Sequence, residues 1–117
     1  MRFKYYAVDF DGTIVTNHYP GVGELLPDAK RVLQRIAANG GDISLWTCRV
    51  DNELSDAVNY MKMNDIPYDR VNENPPFLME LYGNDTRKIG AEFYIDDKAM
   101  MEPIDWLKIE RYIFDER

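Results

Sequence analysis

Asp9-Phe10-Asp11-Gly12-Thr13 sets two carboxylates two residues apart, directly after the apolar run Tyr5-Tyr6-Ala7-Val8 and just before the apolar pair Ile14-Val15. Side chains alternate along a strand, so carboxylates at i and i+2 of a strand end face the same way. A buried strand does not normally carry that much uncompensated negative charge. Gly12 lets the chain turn sharply and brings backbone N–H groups close to a ligand. Carboxylates, free N–H groups and a tight turn together suit a divalent cation and a phosphate. An Asp-Gly pair alone supports only a polar turn after a strand. Further polar groups follow downstream in order, at Thr47, Lys88 and Asp96-Asp97.

Strands and helices must alternate to bring these groups together. Residues 3–10 read as a buried strand. Over residues 28–39, Ala29, Val32, Leu33, Ile36 and Ala37 share one helix face, with Pro27 before and Gly40-Gly41 after as stop signals. Residues 43–47 read as a second strand. Asp51 or Asn52 is then expected to cap a helix whose inner face is Leu54, Ala57, Val58 and Met61. Residues 68–72 form a weaker third strand between Pro67 and Pro75-Pro76, and residues 77–82 fit a short helix. Residues 93–96 are a fourth strand, and Pro103 is expected to open a last helix carrying Ile104, Trp106, Leu107 and Ile109. Such alternation predicts an α/β fold, a three-layer α/β/α sandwich of Rossmann-like type with a mostly parallel sheet. Ligands in such folds sit beyond the carboxyl ends of the strands. Asp9 and Asp11, Thr47, and Asp96-Asp97 all fall at strand ends, with Lys88 just before the fourth.

Composition narrows the classes. A chain of 117 residues, 45% hydrophobic and 13% aromatic, is expected to fold as one domain around a single core. The net charge of −7 argues against holding nucleic acid mainly through its backbone, without excluding a local basic pocket, and against an anionic membrane surface. The single cysteine, Cys48, cannot form an intramolecular disulfide, which fits a reducing compartment. The N-terminus enters the first strand with no signal-peptide pattern, so the cytoplasm is the expected location.

Asp9-Phe10-Asp11-Gly12-Thr13, Thr47, Lys88 and Asp96-Asp97 resemble the four motifs of the haloacid dehalogenase superfamily of phosphotransferases, and the resemblance spans nearly the whole chain. The first motif, with Thr after Gly, resembles the phosphatase branches. Leu45-Trp46-Thr47-Cys48-Arg49 and Tyr94-Ile95-Asp96-Asp97-Lys98-Ala99 are also similar to segments of small bacterial and phage members. The resemblance implies a Mg²⁺-dependent phosphatase with Asp9 as nucleophile and Asp11 as general acid and then base. It implies that Asp9, the backbone carbonyl of Asp11, Asp96 and Asp97 hold the metal. Thr47 and nearby groups of Phe10, Gly12, Cys48 and Arg49 would hold the substrate, and Lys88 would offset charge and orient Asp9. Arg87, beside Lys88, is a second candidate for that cation.

Most members of the superfamily carry a cap domain, yet residues 14–27 fit a short flap and residues 72–90 cannot house a folded unit. A capless member is implied, open to a small phosphate ester or to an exposed phosphate on a larger molecule, with a homo-oligomer as one way to close the site. Arg49, His18, Tyr19 and Asn74 are candidates for its mouth. His18 and Tyr19 fit a flap-shaping role better, Asn74-Pro75 fits a turn, and Arg49 has the best claim. Cys48 reads as structural. Other classes share these parts: a receiver-like regulatory domain phosphorylated on aspartate, a non-catalytic Mg²⁺- or phosphate-binding module, and transfer of the phosphoryl group to an acceptor other than water. A receiver places its acidic acceptor on a middle strand, where this chain offers Thr47.

Overall fold

The computed structural model describes residues 1–99 and 103–116. Its elements run β1 (Tyr5–Val8), α1 (Ala29–Ala38), β2 (Asp42–Leu45), α2 (Asp51–Met63), β3 (Arg70–Val71), α3 (Pro76–Tyr82), β4 (Phe93–Ile95) and α4 (Trp106–Phe114). The strands form one four-stranded sheet in the order β3-β2-β1-β4, and every pairing is parallel. This is the α/β architecture expected from the alternation. β1 lies inside the sheet with β2 on one side and β4 on the other: the chain steps outward from β1 through β2 to β3 and then crosses back to β4 beyond β1. That reversal makes the carboxyl end of β1 a topological switch point, the usual place for a ligand in an open α/β sheet.

One face of the sheet carries the main core. Tyr6, Val8, Ile43 and Leu45 pack with Ala29, Val32, Leu33 and Ile36 of α1, Ala57 and Met61 of α2, and Trp106, Ile109 and Ile113 of α4. The helical spacing of the α1 positions puts all four on one buried stripe, while Ala37 at its margin is half-buried. Each fully buried Val, Leu, Ile or Met among them contributes about 1.5–3 kcal/mol. The opposite face is covered more thinly: the Tyr5 ring meets Phe77 of α3 at 4.8 Å, and no residue of α3 is buried.

Ionic contacts tie α1 to α4. Both oxygens of Glu110 accept from Arg31, at 2.8 and 2.9 Å, and Oε2 also accepts from Arg35 at 2.9 Å. The Arg31 hydrogen bonds lead in holding the Glu110 carboxyl down at about 2, against an opposing push from burial, with Arg35 adding to the pull.

The helix starts and strand ends differ from the sequence reading. Strands are shorter: β1 ends at Val8, β2 at Leu45, and β3 is only two residues long. Neither Asp51 nor Asn52 caps α2. The chain enters this helix with Asp51 in a left-handed conformation (φ 52°) and Val50 at the cap, which has no side-chain hydrogen bond. Pro103 does not open α4. Asp105 does, because its carboxylate accepts from the N–H groups of Leu107 and Lys108 and so satisfies two orphan donors of the first turn. Leu107 consequently faces outward, 42% exposed.

Two connections rise at the carboxyl edge, residues 9–28 and 72–92, and among the described residues neither holds a separate folded unit. The first forms a flap closed by pairing of Val15 with Leu25 and by the Thr16 N–H donating to Glu24 O at 2.7 Å. Among the described residues, no helix is long and apolar enough to cross a membrane.

Candidate active site

Parallel register builds the carboxylate cluster. Val8 pairs with Ile95, so the next residues, Asp9 and Asp96, leave the sheet side by side, and the Asp9 N–H donates to Ile95 O at 2.9 Å. One carboxylate oxygen from each of Asp9, Asp96 and Asp97 lies within 4.8 Å of the others. Burial, and then the Asp96 charge, push the Asp9 carboxyl up to about 7, with Asp97 adding to the rise and the Phe10 backbone N–H opposing it. An oxygen-only, acidic donor set of this span suits a hard divalent cation such as Mg²⁺, which bonds oxygen at about 2.1 Å and keeps several waters.

The loop after β1 is shaped around Asp97. Gly12 adopts φ 79°, and a Cβ there would collide with the Asp97 carboxylate, so both conformation and space call for glycine. Thr13 is fully buried beneath the cluster. Its hydroxyl accepts from the Asp97 N–H at 3.0 Å and lies 3.5 Å from oxygens of both Asp9 and Asp97. Its carbonyl accepts from the Trp106 indole N–H at 2.8 Å, which anchors the site loop to α4. Thr13 lies in the segment of residues 9–13 picked out from the sequence, which assigned it no role of its own.

Asp11 stands apart from the cluster. The expected convergence of four carboxylates is therefore corrected: among the described residues the cluster is Asp9, Asp96 and Asp97. The Asp11 side chain instead accepts from Arg49 in a two-pronged pair, Nε to Oδ2 and Nη2 to Oδ1, each at 2.7 Å. Arg49 is 1% exposed. Its remaining N–H groups donate to Pro20 O at 3.1 Å, Glu53 O at 3.1 Å and Gly21 O at 2.6 Å. All five guanidinium donors thus find protein acceptors. Arg49 does not line an open mouth, because its charge turns inward to where the Asp11 carboxylate and the loop carbonyls converge.

Thr47 follows β2, its N–H donating to Asn72 Oδ1 at 2.8 Å and its hydroxyl accepting from the Arg49 N–H at 3.1 Å. The Gly12 N–H is also engaged, with Val15 O at 2.8 Å, so it and the Arg49 N–H are not free donors. The Phe10 side chain is fully buried in the core, which leaves its backbone to face the site. Cys48 is exposed, contrary to a structural role, because it sits in the turn after β2 and outside the packed layers.

Lys88 is exposed and lies over the Tyr94 ring, 5.5 Å from its centroid; no ion pair joins it to Asp9 among the described residues. Arg87 is exposed too. Their loop is fixed from below by Asn74, which is 2% exposed, a role the Asn-Pro turn reading missed. The Asn74 amide donates to Asp85 Oδ1 at 2.7 Å and Thr86 O at 3.0 Å, and its oxygen accepts from the Gly90 N–H at 2.7 Å. No local pattern could have flagged that clamp, since its partners lie 11 to 16 residues away. His18 and Tyr19 stand exposed on the flap, with the Tyr19 ring centroid 5.1 Å from the Arg49 guanidinium carbon.

No family model matches this chain, and no curated protein does. Among solved structures it is similar to a conserved protein from Bacteroides thetaiotaomicron, with 29% identity and a TM-score of 0.86. That alignment covers 100% of this chain and 93% of the other. The likeness carries the whole fold, from β1 to α4, across to a second chain.

Proposed function

We propose that this chain is a capless, Mg²⁺-dependent phosphatase of the haloacid dehalogenase type, with Asp9 as nucleophile. The observation that carries the reading is the Asp9, Asp96 and Asp97 cluster at the carboxyl edge of β1, the switch point of the sheet. Asp9, Asp96 and Asp97 would hold the cation, with the Asp11 backbone carbonyl. Bound there, Mg²⁺ would neutralise the carboxylates and the phosphoryl oxygens, so that two anions can approach.

Each remaining step belongs to the chain. An Asp9 oxygen attacks phosphorus in line, forming an O–P bond as the bond to the leaving oxygen breaks. Asp11 gives its proton to that oxygen. Water then attacks the aspartyl-phosphate and yields a proton to Asp11, which frees inorganic phosphate and restores Asp9. Thr47 and the Cys48 N–H are the groups assigned to the phosphoryl oxygens. Lys88, or Arg87, would turn toward the bound phosphate and away from its present place in solvent. The substrate is a phosphate monoester, small or exposed on a larger molecule, and the work is done in the cytoplasm, in keeping with one cysteine and no disulfide partner.

A generic aryl phosphate tests this. Hydrolysis by the wild type that is lost with EDTA and lost in Asp9→Asn supports the proposal. Turnover in purified Asp9→Asn equal to the wild type would sink it.

A further inference from the structure

Arg49 does more than fill a buried site, for its five donors join the site loop, the tip of the flap and the start of α2. Two grip Asp11, two hold the flap carbonyls of Pro20 and Gly21, and one holds Glu53 O in the first turn of α2. The guanidinium also lies 5.3 Å from the centroid of the Phe10 ring and 5.1 Å from that of Tyr19. A buried guanidinium is tolerated when it is paired and its donors are satisfied. Asp11 supplies the only opposite charge hydrogen-bonded to it among the described residues. Replacing Asp11 by asparagine removes the charge and turns one of the two gripped oxygens into a donor, and with them goes the reason for Arg49 to stay inside.

We propose that Arg49 is a positioning residue that couples the flap, residues 16–24, to the orientation of the Asp11 carboxylate. This deepens the phosphatase reading and rests on it for the role of Asp11. The two-pronged pair fixes the carboxylate plane and uses one lone pair on each oxygen. The second lone pair on each stays free to carry or accept a proton. The Asp11 side chain is 16% exposed, so it is not sealed off from solvent. Because the same guanidinium holds Pro20 O and Gly21 O, movement of the flap over a substrate is passed to Asp11 through rigid, planar geometry that lysine cannot reproduce.

Two experiments test this, and the first needs no activity. Hydrogen exchange is followed at the Thr16 and Glu24 amides, which close the flap on Glu24 O and the Thr16 hydroxyl. In Asp11→Asn these amides should exchange roughly tenfold faster, the loss expected when a charge-assisted hydrogen-bond network is released. Amides of α1 should be unchanged. Flap exchange identical to wild type would overturn the coupling, whether or not the protein is a phosphatase. The second compares Arg49→Lys, which keeps the charge, with wild type on an aryl phosphate. A fall in kcat of about tenfold or more at nearly constant KM, with an altered pH profile of kcat, is expected for a misoriented proton donor. A raised KM at unchanged kcat would instead make Arg49 a substrate-binding group and overturn its positioning role. If wild type hydrolyses nothing while Asp11→Asn still loosens the flap, the phosphatase reading fails and the coupling stands.

Discussion

Replacing the proposed nucleophile should make the metal-free protein more stable. Asp9 shares a confined site with Asp96 and Asp97, and burial together with the Asp96 charge raises its carboxyl from 3.8 to about 7. A carboxyl with a raised folded-state value contributes fully below its unfolded value, and that contribution is lost as pH rises through the folded value. The cost of ionising Asp9 therefore develops between about pH 4 and pH 7 and is complete at pH 8. At 1.36 kcal/mol per pH unit the upper bound is about 4 kcal/mol, and solvent screening of this part-exposed group lowers it to about 2–3 kcal/mol. Asp9→Asn has the same shape and no charge. For a chain of 117 residues the unfolding entropy is about 0.25 kcal/mol per degree, so Asp9→Asn should melt about 8–12 °C above wild type in EDTA at pH 8. The gap should shrink toward zero near pH 4. The assay is thermal melting across that pH series, with circular dichroism to verify the fold. A variant no more stable than wild type at pH 8 would refute the claim that the cluster is under electrostatic strain.

Added Mg²⁺ should raise the melting temperature of the wild type, more at pH 8 than at pH 5.5 because protons compete for Asp9, and should do little for Asp9→Asn. Equal melts in EDTA and in Mg²⁺ at pH 8 would count against the metal site. Gly12→Ala should cost about 1–2 kcal/mol from its positive φ and displace the Asp97 carboxylate, seen as weaker Mg²⁺ binding in calorimetry. Glu110→Gln should lower stability at neutral pH by about 1–2 kcal/mol through its contacts with Arg31 and Arg35. The Glu110 carboxyl is depressed to about 2, so its contribution is present above about pH 4.5 and lost as pH falls toward 2. Wild type and variant should therefore converge in acid melts, and a gap that persists at pH 2 would contradict the linkage.

The fold and the candidate site were legible to different depths. The α1 stripe of Ala29, Val32, Leu33 and Ile36 was readable because helical spacing and core burial are local. The parallel sheet followed from alternation, and with it came the pairing of Asp9 with Asp96 at one edge. Local spacing misled at Asp11. Strand alternation places its carboxylate beside Asp9, but β1 ends at Val8, and the turn after it delivers the side chain to Arg49. The fate of Arg49 depends on acceptors at residues 11, 20, 21 and 53, which only the folded chain assembles. Asn74 is a parallel case, an apparent turn residue that holds the loop of Lys88 by contacts 11 to 16 residues away. Helix starts were the least readable detail: Pro103 was the expected opener of the last helix, and only the hydrogen bonds from Leu107 and Lys108 identify Asp105 instead.

The most direct measurement is to trap the phosphoenzyme. Wild-type protein is mixed with an aryl phosphate and Mg²⁺, quenched in acid within the first turnover, and its peptides are analysed by mass spectrometry. The account predicts a single phosphoryl group on the peptide carrying Asp9, labile to hydroxylamine as an acyl phosphate is, transient in wild type and absent from Asp9→Asn. Hydrolysis that proceeds with no such adduct at any quench time, or an adduct on a residue other than Asp9, would contradict it.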